Sequence, residues 1–335
     1  MPTYYRIYNL QNSFIDMKIL ITGIHGFVGS NLVNALKEGN TIYGVDIVAP
    51  EKEGVERTYS WDDLDNNVIP EVDAIIHLAG KAHDTKNQAS ADIYFKVNTD
   101  LTKKIFDYYK KSPSAKKFIF FSSVKAAVDK VKGDILTEDV TPSPVGPYGE
   151  SKVKAEEYIL QEDLSELTKN TGKEVVILRP CMIHGPGNKG NLNLLYAVIK
   201  RGIPWPLGSF ENKRSFTSIG NLIFIIKRLL DTPVESGIYN MGDDTPLSTN
   251  ELISVMCEAM GKKPRIWKIN RKLINTAAGI GDKLHLPLNT MRLEKLTENY
   301  VVANDKLKKA LGIEKMPIES KDGIDFTIKS FMQTS

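Results

Sequence analysis

The sequence predicts an α/β protein with a doubly wound parallel sheet and a smaller C-terminal lobe. Short apolar runs alternate with helix-length segments as far as residue 179, which is typical of parallel strands joined by right-handed crossovers. After Arg179, proline and glycine become frequent and the periodicity weakens. The length of 335 residues is enough for roughly two domains. Because ligands bind at the carboxyl ends of the strands, we expect the lobe to close over that edge.

The elements follow in chain order. Residues 1–16 lack periodicity and are predicted to be an N-terminal extension, and the first buried strand starts at Met17 with M-K-I-L-I-T. Further strands are predicted at residues 41–46, 72–78, 117–122 and 174–178. The predicted helices of this part of the chain are residues 26–38, 92–111 and 148–170.

These elements divide the chain at residue 180. We expect the sheet domain to cover residues 17–180 and the lobe to cover residues 181–335. A helix near residues 222–230 and a strand near residues 238–241 indicate that about 215–240 returns to the sheet domain. A last helix is predicted at residues 305–311, where Gly312 ends it.

Composition excludes several classes of protein. The 44 basic and 41 acidic residues give a net charge of +3, too balanced for nucleic acid or an anionic membrane as the main partner. Two cysteines exclude a disulfide scaffold, and five histidines without metal-ligand spacing predict no metal site. No apolar run approaches the roughly 20 residues of a membrane span, and the N-terminus lacks a signal-peptide core. We therefore expect a cytoplasmic protein.

A glycine-rich loop follows the first strand. Gly23, Gly26 and Gly29 are spaced three apart between that strand and a helix, with Phe27 and Val28 between the last two. The first glycine permits a tight turn, the second admits a pyrophosphate at the helix N-terminus, and the third lets the helix pack on the strand. This context predicts a dinucleotide site.

The ends of the next two strands bear on the same ligand. Asp46 ends the second strand, where a carboxylate can accept hydrogen bonds from the adenosine ribose and repels a 2′-phosphate. NAD is therefore favoured, although Lys52 and Arg57 keep NADP open. The third strand ends in Leu78, Ala79 and Gly80, and small residues there let the backbone pass close beneath a cofactor.

A tyrosine and a lysine open the third long helix. Tyr148 and Lys152 are four residues apart and lie on one helix face. A nearby ammonium and a cationic nicotinamide favour the phenolate, which can take a proton from an alcohol. Ser123, at the end of the preceding strand, could hydrogen-bond the reacting oxygen. The three side chains predict acid/base chemistry beside the cofactor.

Together these motifs resemble the extended short-chain dehydrogenase/reductase family, and within it the NAD-dependent nucleotide-sugar epimerase/dehydratase group. The resemblance spans roughly residues 17–313. Its motifs are T-G-I-H-G-F-V-G at 22–29, Asp46, H-L-A-G at 77–80, Asn98, Ser122-Ser123, Y-G-E-S-K at 148–152, L-R-P at 178–180, G-P-G at 185–187 and Arg214.

The resemblance implies a Rossmann-like domain, Tyr148 as the acid/base, Lys152 as its electrostatic partner and Ser123 as the third member. It also implies a homodimer formed through the helices at 92–111 and 148–170. The implied cofactor-binding residues are Gly23, Gly26, Phe27, Val28, Gly29, Asp46, Leu78, Ala79, Gly80, Asn98, Ser122 and Pro180. The implied substrate-binding residues are Lys81, Met182, Asn191, Leu207 and Arg214.

The stretches S-S-V-K at 122–125, N-K-G-N-L at 188–192 and P-W-P-L-G at 204–208 most resemble one subgroup. That subgroup contains UDP-sugar 4-epimerases and UDP-4-keto-6-deoxy-N-acetylhexosamine 4-reductases. Both are expected to work at C4 of a UDP-hexose or UDP-N-acetylhexosamine in surface polysaccharide biosynthesis, and their motifs do not separate them. Val124-Lys125 follows Ser123 where dehydratases carry Asp-Glu, so 4,6-dehydration is not expected. A non-catalytic dinucleotide sensor is the remote alternative.

Overall fold

A seven-stranded parallel sheet lies at the centre of the computed structural model, which describes residues 16–82, 90–284 and 289–333, without the side chain of Asn191. The strand order is β3-β2-β1-β4-β5-β6-β9, so the chain leaves β1 in both directions and opens a crevice between β1 and β4. The strands of this sheet are β1 (Met17–Thr22), β2 (Asn40–Val45), β3 (Arg57–Tyr59), β4 (Ala74–His77), β5 (Lys117–Phe121), β6 (Glu174–Pro180) and β9 (Gly237–Met241). A second, two-stranded parallel sheet consists of β7 (Met182–His184) and β8 (Phe216–Ser218).

Helices cover both faces of the main sheet and build most of the lobe. Those of the first half are α1 (Phe27–Leu36), α2 (Trp61–Asp65), α3 (Ala91–Tyr94), a π-helix (Phe95–Asp100), α4 (Leu101–Lys111), α5 (Val124–Ala127), α6 (Pro147–Leu160) and α7 (Leu164–Thr171). Those of the second half are α8 (Asn191–Lys200), α9 (Ile219–Asp231), α10 (Thr249–Ala259), α11 (Arg271–Leu284), α12 (Thr290–Thr297), α13 (Asp305–Leu311) and α14 (Ser320–Gln333).

The strands carry continuous apolar runs because both faces of the sheet are covered. In β5, Ile119 and Phe121 contribute to one apolar cluster, while Phe118 and Phe120 contribute to the other. The first cluster contains α1, α9 and α13, and the second contains α4 and α6. Side-chain alternation along each strand thus holds two helical layers on one sheet.

Several predicted boundaries need correction. The helix predicted at residues 148–170 is two helices, because Asp163 accepts a hydrogen bond from Glu166 N and starts α7. The helix predicted at 92–111 contains the π-helical segment. Strand β3 was not predicted, because three residues are too few to show a strand pattern in the sequence. The lobe is also more helical than its glycine and proline content indicates. The predicted extension at residues 1–16 lies outside the described residues, apart from Asp16.

Segments beyond residue 180 pack on the main sheet. Helix α9 belongs to the same apolar cluster as α1, and β9 pairs in parallel with β6. Leu307 and Leu311 of α13 join this cluster as well. Over the described ranges, no helix is both long and apolar enough to cross a bilayer.

Candidate active site

The glycine-rich loop lies at the carboxyl end of β1, beside the crevice. Gly23 adopts a left-handed backbone, with φ of +69°, and a Cβ there would lie 2.9 Å from Ala79 N. A Cβ at Gly29 would lie 2.6 Å from Gly23 O and 2.7 Å from Ile24 O. All three distances are shorter than a Cβ atom can approach another heavy atom, so only glycine permits this turn and the close packing of α1.

No side chain among the described residues caps the N-terminus of α1. Gly26 is the N-cap and provides no side-chain hydrogen bond, and no acidic residue lies in the first turn. Phe27 and Val28 are the first helical residues, and their backbone N–H groups lack intrahelical acceptors. Unpaired N–H groups and the positive end of the helix dipole attract an anion such as a pyrophosphate.

We expect Gly29→Ala to weaken dinucleotide binding by about tenfold or more, because overpacking of this kind typically costs over 1 kcal/mol. Gly279→Ala is the matched control, since nothing lies within 4 Å of a Cβ at Gly279. The measurement is an NADH titration of the two purified variants. Wild-type affinity in Gly29→Ala would contradict the assignment of this loop.

Asp46 is held at the edge of the same loop. Its Oδ2 accepts a hydrogen bond from His25 N at 3.0 Å and its Oδ1 accepts one from Ile47 N at 2.7 Å. The Lys52 ammonium donates to Ile24 O and to Ser30 Oγ, and Arg57 stacks on the Tyr59 ring. Both cations that kept NADP open are therefore engaged by protein groups, and backbone N–H groups fix the Asp46 carboxylate beside the loop.

The end of β4 approaches the loop closely. Thr22 Oγ1 accepts a hydrogen bond from Ala79 N at 3.1 Å, and Leu78 N donates to Thr22 O. A Cβ at Gly80 would lie 3.1 Å from Asn98 Oδ1 and 3.2 Å from Lys152 Nζ. The small residues predicted here thus allow the backbone to pass between the glycine loop and α6.

Asn98 is buried, and its side chain is used within the protein. Its Oδ1 accepts from Lys81 N at 2.7 Å, and its Nδ2 donates to Lys81 O and to Ser151 Oγ. This asparagine therefore fixes the loop at Gly80 and Lys81, while the cofactor contact that the resemblance implies stays a prediction.

Tyr148 and Ser123 meet at the carboxyl end of β5. Pro147 starts α6, and a Cβ at Gly149 would lie 2.5 Å from Lys125 O, so glycine lets this helix end contact α5. Ser123 lies beside the Tyr148 side chain, and its Oγ also caps α5 by accepting from Lys125 N. Burial raises the pKa of Tyr148, and the interaction with the Ser123 side chain lowers it in part.

Lys152 lies one turn below Tyr148 and is almost fully buried. Its Nζ donates to Phe121 O at 2.7 Å and lies over the Phe120 ring. Burial lowers the pKa of Lys152 to about 8, against an opposing effect of Glu156. The ammonium is thus mainly protonated at neutral pH. Burial holds the pKa of Tyr148 above its usual value, whereas the sequence predicts a lowered one beside an ammonium and a cationic nicotinamide.

A buried ionic network that the sequence did not indicate supports this lysine. Glu156 accepts hydrogen bonds from Arg179 Nε at 2.9 Å and Arg179 Nη2 at 2.5 Å, and both side chains are 1% exposed. Ser122 Oγ donates to Glu156 Oε1, so the hydroxyl of this residue belongs to the network, and its predicted contact with a cofactor stays a prediction. Glu156 lies four residues after Lys152 on the same helix face, which is the signal that could have revealed it.

Four of the five predicted substrate residues lie beyond residue 180, whereas Lys81 follows β4. Met182 starts β7, and Asn191 is the first residue of α8. Pro180, a predicted cofactor-binding residue, ends β6. The Leu207 side chain is buried with Ile274, Ala278 and Leu293 in the lobe core, so only its backbone remains for a substrate contact.

Arg214 is partly engaged by the lobe. Its Nη2 donates to Lys295 O at 2.6 Å and to Glu298 Oε1 at 3.1 Å. Its buried Nε has no hydrogen-bond partner. An orphaned guanidinium N–H fits an anionic ligand.

The residues present fit a bound dinucleotide. The glycine loop and the N-terminus of α1 would hold its pyrophosphate, Asp46 its adenosine ribose, and Gly80 with Lys152 its nicotinamide side. Within the described parts of the chain, no three His, Cys, Asp or Glu side chains come together as a metal site.

A Rossmann-like sheet whose crevice combines this loop with a Tyr–Lys pair defines the class of short-chain dehydrogenases/reductases. The chain belongs to the NAD dependent epimerase/dehydratase family, whose model matches residues 19–242. It is therefore an enzyme of the NAD-dependent nucleotide-sugar epimerases and their relatives, and its cofactor is NAD.

Two curated relatives illustrate the similarity. The chain is 31% identical to a UDP-glucose 4-epimerase of Vibrio cholerae, covering 95% of this chain and 96% of the relative. It is 28% identical to the N-acetyl-alpha-D-glucosaminyl-diphospho-ditrans,octacis-undecaprenol 4-epimerase of Escherichia coli O157:H7, covering 73% of each chain.

Solved structures share the fold. The UDP-glucose 4-epimerase of Thermotoga maritima with UDP-glucose superimposes with a TM-score of 0.71 at 22% identity, over 95% of this chain and 99% of that one. The UDP-glucuronic acid 4-epimerase of Bacillus cereus with NAD gives a TM-score of 0.70 at 21% identity, over 95% and 97%.

Proposed function

We propose that the protein interconverts UDP-hexoses or UDP-N-acetylhexosamines that differ in configuration at C4, through a transient 4-keto sugar. The observation that carries this proposal is the position of Tyr148, beside Ser123 and one helical turn from buried Lys152. The proposal includes a homodimer acting in the cytoplasm, in the biosynthesis of surface polysaccharide sugars. Net reduction of a UDP-4-keto-6-deoxy-N-acetylhexosamine uses the same residues and is the alternative.

The proposed chemistry assigns one task to each side chain. Tyr148 takes the proton of the C4 hydroxyl, and Ser123 orients the same oxygen by a hydrogen bond. NAD, held by the glycine loop, Asp46 and Lys152, would supply reversible hydride transfer at C4. Positive charge on Lys152 stabilises the phenolate that forms during proton transfer. Return of the hydride to the opposite face of the 4-keto sugar requires the sugar to turn within the lobe.

The position after Ser123 argues against dehydration. Lys125 Nζ donates to Asp129 O and lies 4.4 Å from the centre of the Tyr300 ring, and Val124 is buried. Neither side chain provides the second acid and base that removal of water across C5–C6 requires.

Whether the purified protein retains its cofactor distinguishes the proposed epimerase from the alternative reductase. An epimerase regenerates NAD in each cycle and can keep it, so we expect denatured wild-type protein to release close to one NAD per chain. The same preparation should form the C4 epimer of an added UDP-sugar, separated by chromatography. An empty protein that consumes NADH on a 4-keto substrate would favour the reductase. Failure to bind either form would contradict both functions.

Arg214 is proposed to hold the diphosphate of the substrate. Arg214→Met should raise the KM for the UDP-sugar by about 10- to 100-fold with a smaller change in kcat, because a charge-assisted hydrogen bond is lost. Steady-state kinetics measures both constants. Arg292→Met, a change on exposed α12, is the control. An unchanged KM in Arg214→Met would remove Arg214 from the substrate site.

A further inference from the structure

Helix α11 carries two apolar stripes, and only one of them is buried. Ile274, Ala278 and Gly281 face the lobe core. A second stripe runs beside them with helical spacing of four, three and four residues. This exposed stripe consists of Leu273, Ala277, Ile280 and Leu284.

The exposed stripe is the centre of a wider apolar surface. Leu273 is 65% exposed and Leu284 is 63% exposed, although leucine at this spacing is typical of a packed face. Six of the sixteen exposed large apolar side chains in the described residues lie between 267 and 296. Such concentration on a single segment is typical of an interaction surface.

Positive charge borders this stripe. By the helical repeat, Lys272 and Lys283 lie on its flank away from the buried stripe. Neither lysine forms an ion pair with a carboxylate among the residues that the structure describes. Residues 267–296 contain six basic and two acidic side chains, so their net charge of +4 exceeds the +3 of the whole chain. Although the charges of the whole chain nearly balance, residues 267–296 are therefore locally cationic.

We propose that α11 lies on an anionic phospholipid membrane surface, with its exposed stripe at the acyl boundary and its lysines against the headgroups. A helix with an apolar face bordered by lysines binds in this way without spanning the bilayer. A second copy fits less well, because an antiparallel two-fold contact through the stripe would place the cationic flanks of the two copies side by side. Since α11 packs on Leu207, this contact would bring the lobe to the lipid surface.

Cosedimentation of the full-length protein with vesicles tests the proposal. We expect binding to vesicles of phosphatidylglycerol and phosphatidylcholine, release by high salt, and little binding to phosphatidylcholine alone. The double variant Leu273→Glu/Leu284→Glu should bind about tenfold less or weaker still, and Lys272→Glu/Lys283→Glu should lose the salt dependence. Val68→Glu, at a site 50% exposed outside this surface, should bind like the wild type.

Turnover of a UDP-sugar in solution reports that each variant is folded, independently of lipid. Wild-type protein that stays in the supernatant with anionic vesicles would overturn the proposal. So would light scattering that shows a dimer converted to monomers by Leu273→Glu/Leu284→Glu without vesicle binding, because the stripe would then be a contact between copies.

Discussion

Tyr148→Phe is expected to reduce turnover of the UDP-sugar by about 100- to 10,000-fold, the range for loss of a positioned general acid or base. The phenyl ring fills the same space, so the fold and the glycine loop stay intact. Dinucleotide binding should therefore match the wild type. Steady-state turnover and NADH titration, measured on the same preparation, separate the two effects.

A second tyrosine on the same helix provides the matched control. Tyr158 donates its hydroxyl hydrogen to Asp107 at 2.9 Å, outside the proposed site. Tyr158→Phe should keep turnover close to that of the wild type. Wild-type turnover in Tyr148→Phe, with the product confirmed by chromatography, would refute the role of Tyr148 as acid/base.

Glu156→Gln is expected to lower the free energy of unfolding by about 3–5 kcal/mol, the cost of breaking a buried ion pair. The change leaves the Arg179 guanidinium charged and buried without a counterion. It also removes the negative charge that opposes the burial effect on Lys152, so the pKa of Lys152 falls further below about 8. Urea unfolding followed by circular dichroism measures the loss of stability.

Glu157→Gln tests whether burial of the Glu156–Arg179 ion pair is the cause of the expected loss of stability. Glu157 pairs with Lys154 on the exposed face of α6, where water screens the interaction. The urea concentration at the unfolding midpoint of the Glu157→Gln variant should equal that of the wild type. If both variants unfold at the same urea concentration as the wild type, the Glu156–Arg179 pair contributes no net stability.

The elements of the nucleotide-binding half could be predicted from the sequence, because their motifs depend on residues that are close together in the chain. The spacing of Gly23, Gly26 and Gly29 between an apolar strand and a helix reflects contacts within a few residues, and the structure has that strand, loop and helix. The alternation of strands and helices predicted the parallel sheet, which the structure and the family confirm.

Contacts between segments that are far apart in the chain could not be predicted from the sequence. Glu156 and Arg179 are 23 residues apart, and only the pairing of β5 with β6 beneath α6 brings them together. The break in the helix predicted at 148–170 depends on one cap at Asp163, which competes with a continuous helical pattern.

The sequence by itself determined the fold class, the glycine loop and the order of the site residues, because these depend on spacing along one strand or helix. The tertiary structure decided what each side chain does. It directed Asn98 and Ser122 into protein hydrogen bonds and the Leu207 side chain into the lobe core. Burial, which sets the pKa of Tyr148 and of Lys152, depends on groups from several elements and has no signature in any single one of them.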